Sequence, residues 1–180
     1  TSSDFTSRHY KGPVGLLTRV SFEERSLSVA RSLHGNIVDA SIALVTQGRK
    51  GATEANRQAY LRALPKSEIR YVSNEPLQNA ETIQGAVADL AKVAAGKNAV
   101  IDITAFRREE LLVLLQTTLE LDEDVTRCWE AVYVSAAQMA SSLSGDVVEC
   151  RSVVGFAGAV RPSRPNRLVV LVGFEKDRAQ

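Results

Sequence analysis

The chain has 180 residues, of which 44% are hydrophobic and 24% charged, and its formal net charge is +1 at pH 7. This length suits one domain with a sizeable core. The near-balanced charge supplies no global basic field of the kind that binds duplex nucleic acid. No apolar run reaches the roughly 20 residues that a membrane-crossing helix needs. Two histidines and two cysteines without CxxC spacing are too few for a histidine-based triad or a metal site. The expectation is a cytoplasmic protein with reduced, partly buried Cys128 and Cys150, no metal and no cofactor.

The polar stretch Thr1 to Lys11 reads as a flexible N-terminal segment, leaving 12–180 as a single domain. Val14 to Val20 is the first predicted strand. Ser21 and Glu24 after it have capping-box spacing, and a first helix carries Leu27, Val29, Ala30 and Leu33 to a stop near Gly35-Asn36. Asp39 to Thr46 is the second strand, ending in a basic loop, Gln47-Gly48-Arg49-Lys50-Gly51. A second helix from about Ala52 to Leu64 turns Ala55, Ala59, Tyr60, Ala63 and Leu64 inward and is closed by Pro65. A short third strand, Ile69 to Ser73, leads to a third helix between Leu77 and Ala95, with Gly85 as an interior weak spot and Gly96 as its stop.

The densest signal lies between Ala99 and Leu115: an apolar run into Asp102-Ile103-Thr104, two arginines, then leucines at helical spacing. It predicts a buried strand, a polar turn and a helix N-terminus. Acidic Asp122-Glu123-Asp124 ends that unit, and Arg127 to Ser135 is a fifth strand. Ala136 to Leu143 reads as a short helix, Val147 to Gly158 as extended, Arg161 to Pro165 as a stiff basic loop, and Arg167 to Val172 as a last buried strand.

Strands alternating with helices imply an α/β fold: a Rossmann-like, doubly wound, mainly parallel sheet of about six strands, ordered 3-2-1-4-5 with one further strand and helices on both faces. In that order strands one and four are neighbours at the switch point, where open α/β sheets bind ligands. Ser21-Phe22-Glu23 and Thr104-Ala105-Phe106-Arg107 are therefore expected to meet.

The candidate ligand-binding residues are Arg19, Ser21, Phe22, Arg25, Gly48, Arg49, Lys50, Thr104, Phe106 and Arg107. Arg107 and Arg108 at a helix start are either a solvated pair offset by Glu109 and Glu110 or the grip for a phosphate or carboxylate. Thr104 is an N-cap or a ligand contact. Asp102, inside an apolar run, must pair with Arg19 or Arg107 or cap a loop. The loop around Gly48, Arg49 and Lys50 offers charge and backbone amides to an anion, or is an exposed basic turn. Phe22 and Phe106 either stack on a base or pack on the core. Glu23 is the candidate catalytic carboxylate if the protein is an enzyme. The first strand–helix turn lacks G-x-G-x-x-G, and neither a P-loop nor a G-x-S-x-G motif occurs.

Val100-Ile101-Asp102-Ile103-Thr104-Ala105-Phe106-Arg107 resembles the strand-four turn of the CRISPR-associated Rossmann-fold (CARF) sensor domains of prokaryotic defence systems. There an apolar-x-Thr sequence precedes small residues and a basic one; Ala105-Phe106 stands here where those turns carry two glycines. The resemblance implies binding of a nucleotide at the ends of strands one and four, usually across a homodimer. Three functions follow as expectations. The first is a sensor for a nucleotide or similar anionic ligand in a defence or regulatory protein. The second is a nucleotide-processing hydrolase, of N-glycosidase or phosphodiesterase type, working in the same pocket. The third is a ligand-free interaction domain. Ser21-Phe22-Glu23-Glu24-Arg25 is echoed by Gly173-Phe174-Glu175-Lys176-Asp177-Arg178. That echo is either coincidence or the start of a second, similar unit after Gln180.

Overall fold

The computed structural model describes residues 10, 12–48, 51–136 and 151–158. The apolar runs become five strands, β1 (Val14–Val20), β2 (Val38–Thr46), β3 (Glu68–Val72), β4 (Asn98–Asp102) and β5 (Trp129–Val132). They form one sheet in the order β3-β2-β1-β4-β5, and every neighbouring pair is parallel. The helices are α1 (Ser28–Ile37), α2 (Ala52–Ala63), α3 (Pro76–Val93), α4 (Arg108–Leu119) and the single-turn α5 (Glu123–Thr126). The expected order 3-2-1-4-5 is thus present. The described residues hold five strands rather than about six, because Arg167 to Val172 lies outside them, as do the short helix expected after Ala136 and the Arg161 to Pro165 loop.

β1 is central, and all seven of its residues are buried. Its alternation splits the core. Leu17, with Ile42, Leu44 and Ile101, meets Ile83, Val87 and Leu90 of α3 and Val113 and Leu114 of α4. Leu16 and Val20, with Ala43, Val45 and Val100, meet Leu33 of α1 and Tyr60 of α2. A sheet covered on both faces needs continuous rather than alternating apolar strands, as β1 has. Gly15 is what lets α3 lie so close: a Cβ there would stand 2.9 Å from Leu90 Cδ1 and 3.2 Å from Ala94 Cβ. Gly85, the expected weak spot, faces β3, where a Cβ would stand 3.4 Å from Arg70 Nη1. That guanidinium bridges Glu68 and Asp89, each at 2.6 Å.

Several local expectations are corrected. Ser21 caps no helix. Its hydroxyl accepts the Glu23 N–H, while Ser26 accepts the Ser21 N–H and donates to the Glu23 carbonyl. These short serine–backbone bonds compete with a regular helix start, and the chain makes a 3-10 turn, Glu24–Leu27, before α1. α1 does not stop at Gly35-Asn36 but runs to Ile37, with β2 starting at the next residue. Packing of Ile37 and Val38 on the second core cluster outweighs the roughly 1 kcal/mol helix cost of a glycine. Ala55 is exposed, and the buried residues of α2 are Thr53 and Tyr60.

Asp122-Glu123-Asp124 does not merely end the preceding unit; it opens α5. β5 is four residues long, not nine, because β4 ends at Asp102 and offers no further partner. Residues 151–158 are not an extended strand. Phe156 N–H bonds the Val153 carbonyl in a turn, and Val153 and Val154 pack against the α3–α4 cluster. Cys128 is exposed rather than partly buried, because it lies in the turn just before β5; Cys150 lies outside the described residues. Among the described residues no helix is long and apolar enough to cross a membrane.

Candidate functional site

Because all five strands run the same way, the loops leaving β1, β2 and β4 gather at one end of the sheet. They enclose a cavity of about 450 Å³. The β1 exit supplies Ser21, Phe22, Glu23 and Arg25, and the β4 exit supplies Thr104, Ala105, Phe106 and Arg107. Arg19 lines it from the end of β1, and Thr46, Ala52 and Thr53 line it from the β2 side. The expected meeting of Ser21–Glu23 with Thr104–Arg107 is therefore present. Gly48 does not line this cavity; it is an exposed residue with φ of 71°, a turn conformation suited to glycine. Arg49 and Lys50 lie outside the described residues.

The arginines differ sharply in how they are held. Arg19 is 3% exposed. Its Nε donates to Glu110 Oε2 at 2.6 Å and its Nη2 to Thr46 Oγ1 at 2.8 Å. Arg25 binds Glu23 through Nε, donates through Nη1 to the Val134 carbonyl at 2.9 Å and to the Tyr133 hydroxyl at 3.3 Å, and stacks over the Tyr133 ring at 5.7 Å. The hydrogen bond to Glu23 is the main reason its pKa is raised further. Arg107 is exposed, and its guanidinium makes no hydrogen bond or ion pair among the described residues. It is also the N-cap of α4, and a guanidinium has only donors to offer a helix start already rich in free N–H groups.

The β4 turn is built by carboxylates. Asp102 pairs with neither Arg19 nor Arg107; it caps the turn, accepting from the Thr18 hydroxyl and the Thr104 N–H at 3.0 Å each. The reason is position: side chains alternate along a strand, so Asp102 lies level with its register partner Thr18. Burial pushes its carboxyl pKa up, against the pull of the Thr104 and Thr18 hydrogen bonds. Thr104 is not an N-cap. Its buried hydroxyl accepts the Val134 N–H at 2.9 Å, tying the chain beyond β5 to the turn. Glu110 makes the reciprocal half of a capping box at α4, its Oε2 accepting the Arg107 N–H at 2.8 Å. The two phenylalanines differ in burial. Phe106 is 8% exposed and belongs to the core, while Phe22 is 69% exposed at the cavity wall.

Glu23 lines the cavity as expected, and its carboxylate is taken up by Arg25. Glu110, Thr46 and Thr53 were not legible as site residues. Glu110 reads as one acid of a solvated Glu109-Glu110 pair, and the threonines carry no motif. The only signal was the helical phase that places Glu110, in the first turn of α4, on the buried face with Val113 and Leu114. Among the described residues no group of three His, Cys, Asp or Glu converges to hold a metal ion. No protein-family profile and no curated protein sequence matches the chain. The cleft can hold an anion beside an aromatic face, between two helix N-termini.

Proposed function

We propose that this protein is a ligand-sensing module that binds a nucleotide or similar anionic signal in the cleft at the ends of β1 and β4. The observation that carries this reading is Arg107. An exposed guanidinium with no partner among the described residues stands at the N-terminus of α4, where a cation opposes the helix dipole and an anion is welcome. An incoming phosphate would satisfy both the guanidinium and the first-turn amides, converting an unfavourable charge placement into a bidentate contact. Exposed Phe22 across the cavity supplies a face for a planar base. The resemblance of Val100 to Arg107 to the strand-four turn of CARF sensors supports the nucleotide class, a homodimer and a role in defence or regulation.

Binding without turnover is the better-supported form. Glu23 is the carboxylate that lines the cavity among the described residues, and Arg25 occupies it. It acts as a positioning residue for Arg25 rather than a free base. The test is calorimetry with cyclic di-, tri- and tetranucleotides, NAD, ATP and ADP-ribose, followed by chromatography of each mixture. The expected result is binding with the ligand recovered intact, weakened at least tenfold by Arg107→Ala, the scale of one charge-assisted contact. A product peak that Glu23→Gln abolishes would replace this reading with the hydrolase. Silence across the panel would replace it with the interaction domain.

A further inference from the structure

The β2 side of the cleft carries polar groups that the reading above leaves unused. α2 is twelve residues long, begins at Ala52 and has no side-chain cap, because its N-cap is Gly51. Ala52 and Thr53 both line the cavity. The first acid of the helix, Glu54, does not turn back to serve the free amides. Its carboxylate is held by Arg57 at 2.6 and 2.9 Å and by Gln58 at 2.9 Å, which pushes its pKa down to about 2.

Two further observations point to a ligand there. Thr53 is only 6% exposed, yet its hydroxyl makes no hydrogen bond among the described residues. Thr53 lines the cavity, where that hydroxyl can meet a ligand. Arg19, also a lining residue, is fixed from two sides by Glu110 and Thr46, while its Nη1 has no partner among the described residues. A guanidinium held rigidly at the end of a cleft loses little entropy on meeting an anion.

We infer that the start of α2 is a second phosphoryl-binding subsite, made by the Thr53 hydroxyl, the first-turn amides of α2 and the buried Arg19 guanidinium. This rests on the anion-binding reading of the cleft and deepens it. With Arg107 and α4 on one side and Thr53 and α2 on the other, the cleft takes a ligand with two phosphoryl groups at separate positions. A ligand with a single phosphate fills only one of them.

The experiment is a titration of the full 180-residue chain with inorganic phosphate, followed by amide NMR and controlled with chloride at equal ionic strength. Phosphate should move the amides of residues 52–54 and, separately, those of residues 108–110. Thr53→Val should abolish the first set of shifts and spare the second; Thr53→Ser, which keeps the hydroxyl, should retain both. Adenosine 3′,5′-bisphosphate should bind about tenfold more tightly than AMP, one charge-assisted contact's worth, and Thr53→Val should remove that difference. If residues 108–110 respond and 52–54 do not, the second subsite is refuted and the Arg107 site stands. If 52–54 respond alone, the second subsite stands and the Arg107 site falls. Silence at both refutes both. Should Thr53→Val fail to fold, the wild-type shifts and the ratio of bisphosphate to AMP affinity decide the matter.

Discussion

Arg19 on β1 and Glu110 on α4, 91 residues apart in sequence, form an ion pair of 2.6 Å with both side chains nearly inaccessible to solvent. The same carboxylate oxygen also accepts the Arg107 N–H at 2.8 Å. One buried acid thus fixes a cleft arginine and the start of α4 together. A buried charge is costly without its partner. Glu110→Ala should therefore lower unfolding free energy by about 3–5 kcal/mol, whereas Arg19→Met with Glu110→Leu should cost much less. Urea unfolding of the single and double variants measures both; equal losses would show that the charges are not coupled.

The Asp102 carboxyl is protonated more readily in the folded protein than in the unfolded chain, since burial raises its pKa above 3.8. The folded state therefore binds more protons through this group as pH climbs from the unfolded value towards the raised one. Its contribution to stability is fully present at lower pH and is lost as pH rises through that window. Asp102→Asn removes the ionisation and keeps a carbonyl for the Thr104 N–H. Its stability relative to wild type should improve as pH rises above about 4 and level off once pH exceeds the raised pKa. Parallel urea midpoints across that range would contradict the assignment.

Gly15→Ala places a methyl 2.9 Å from Leu90 Cδ1 and 3.2 Å from Ala94 Cβ. Overpacking of this kind costs about 1–3 kcal/mol. The thermal midpoint should fall accordingly, and Leu90→Val in the Gly15→Ala background should recover part of the loss. No recovery would mean that α3 is not the element displaced.

Phe22 and Phe106 occupy equivalent positions after β1 and β4 but should behave in opposite ways. Phe106→Ala empties a core site and should cost about 3–5 kcal/mol. Phe22→Ala, at an exposed position, should leave unfolding within about 0.5 kcal/mol of wild type while weakening a base-bearing ligand more than inorganic phosphate. Equal weakening of both ligands would remove Phe22 from base recognition.

The strand order was legible because it follows from simple periodicities: apolar runs such as Leu16-Leu17 and Val100-Ile101 separated by helical patterns. The meeting of Ser21–Glu23 with Thr104–Arg107 came from topology alone. What escaped the sequence was the choice among polar partners. Asp102 had two arginines within plausible reach and took neither, since its register opposite Thr18 placed donors closer. Ser21-x-x-Glu24 had capping spacing, but Ser26 offered a competing acceptor two residues on. The half capping box that does form, Glu110 to Arg107, has an arginine where the pattern has serine or threonine, so no motif announces it. Thr53 was invisible for a related reason: its interest is a hydroxyl without a hydrogen-bond partner among the described residues, which no sequence pattern signals.

Arg25 gives the wall of the cleft and the chain departing from β5 a common anchor. Its guanidinium holds Glu23 on one side and the Tyr133 hydroxyl and Val134 carbonyl on the other. Thr104 grips the same Val134 from the β4 turn. The residue at which the polypeptide leaves the sheet is thus stitched to both lips of the cleft. A shift of either the β1 or the β4 exit loop would therefore break a hydrogen bond to Val134.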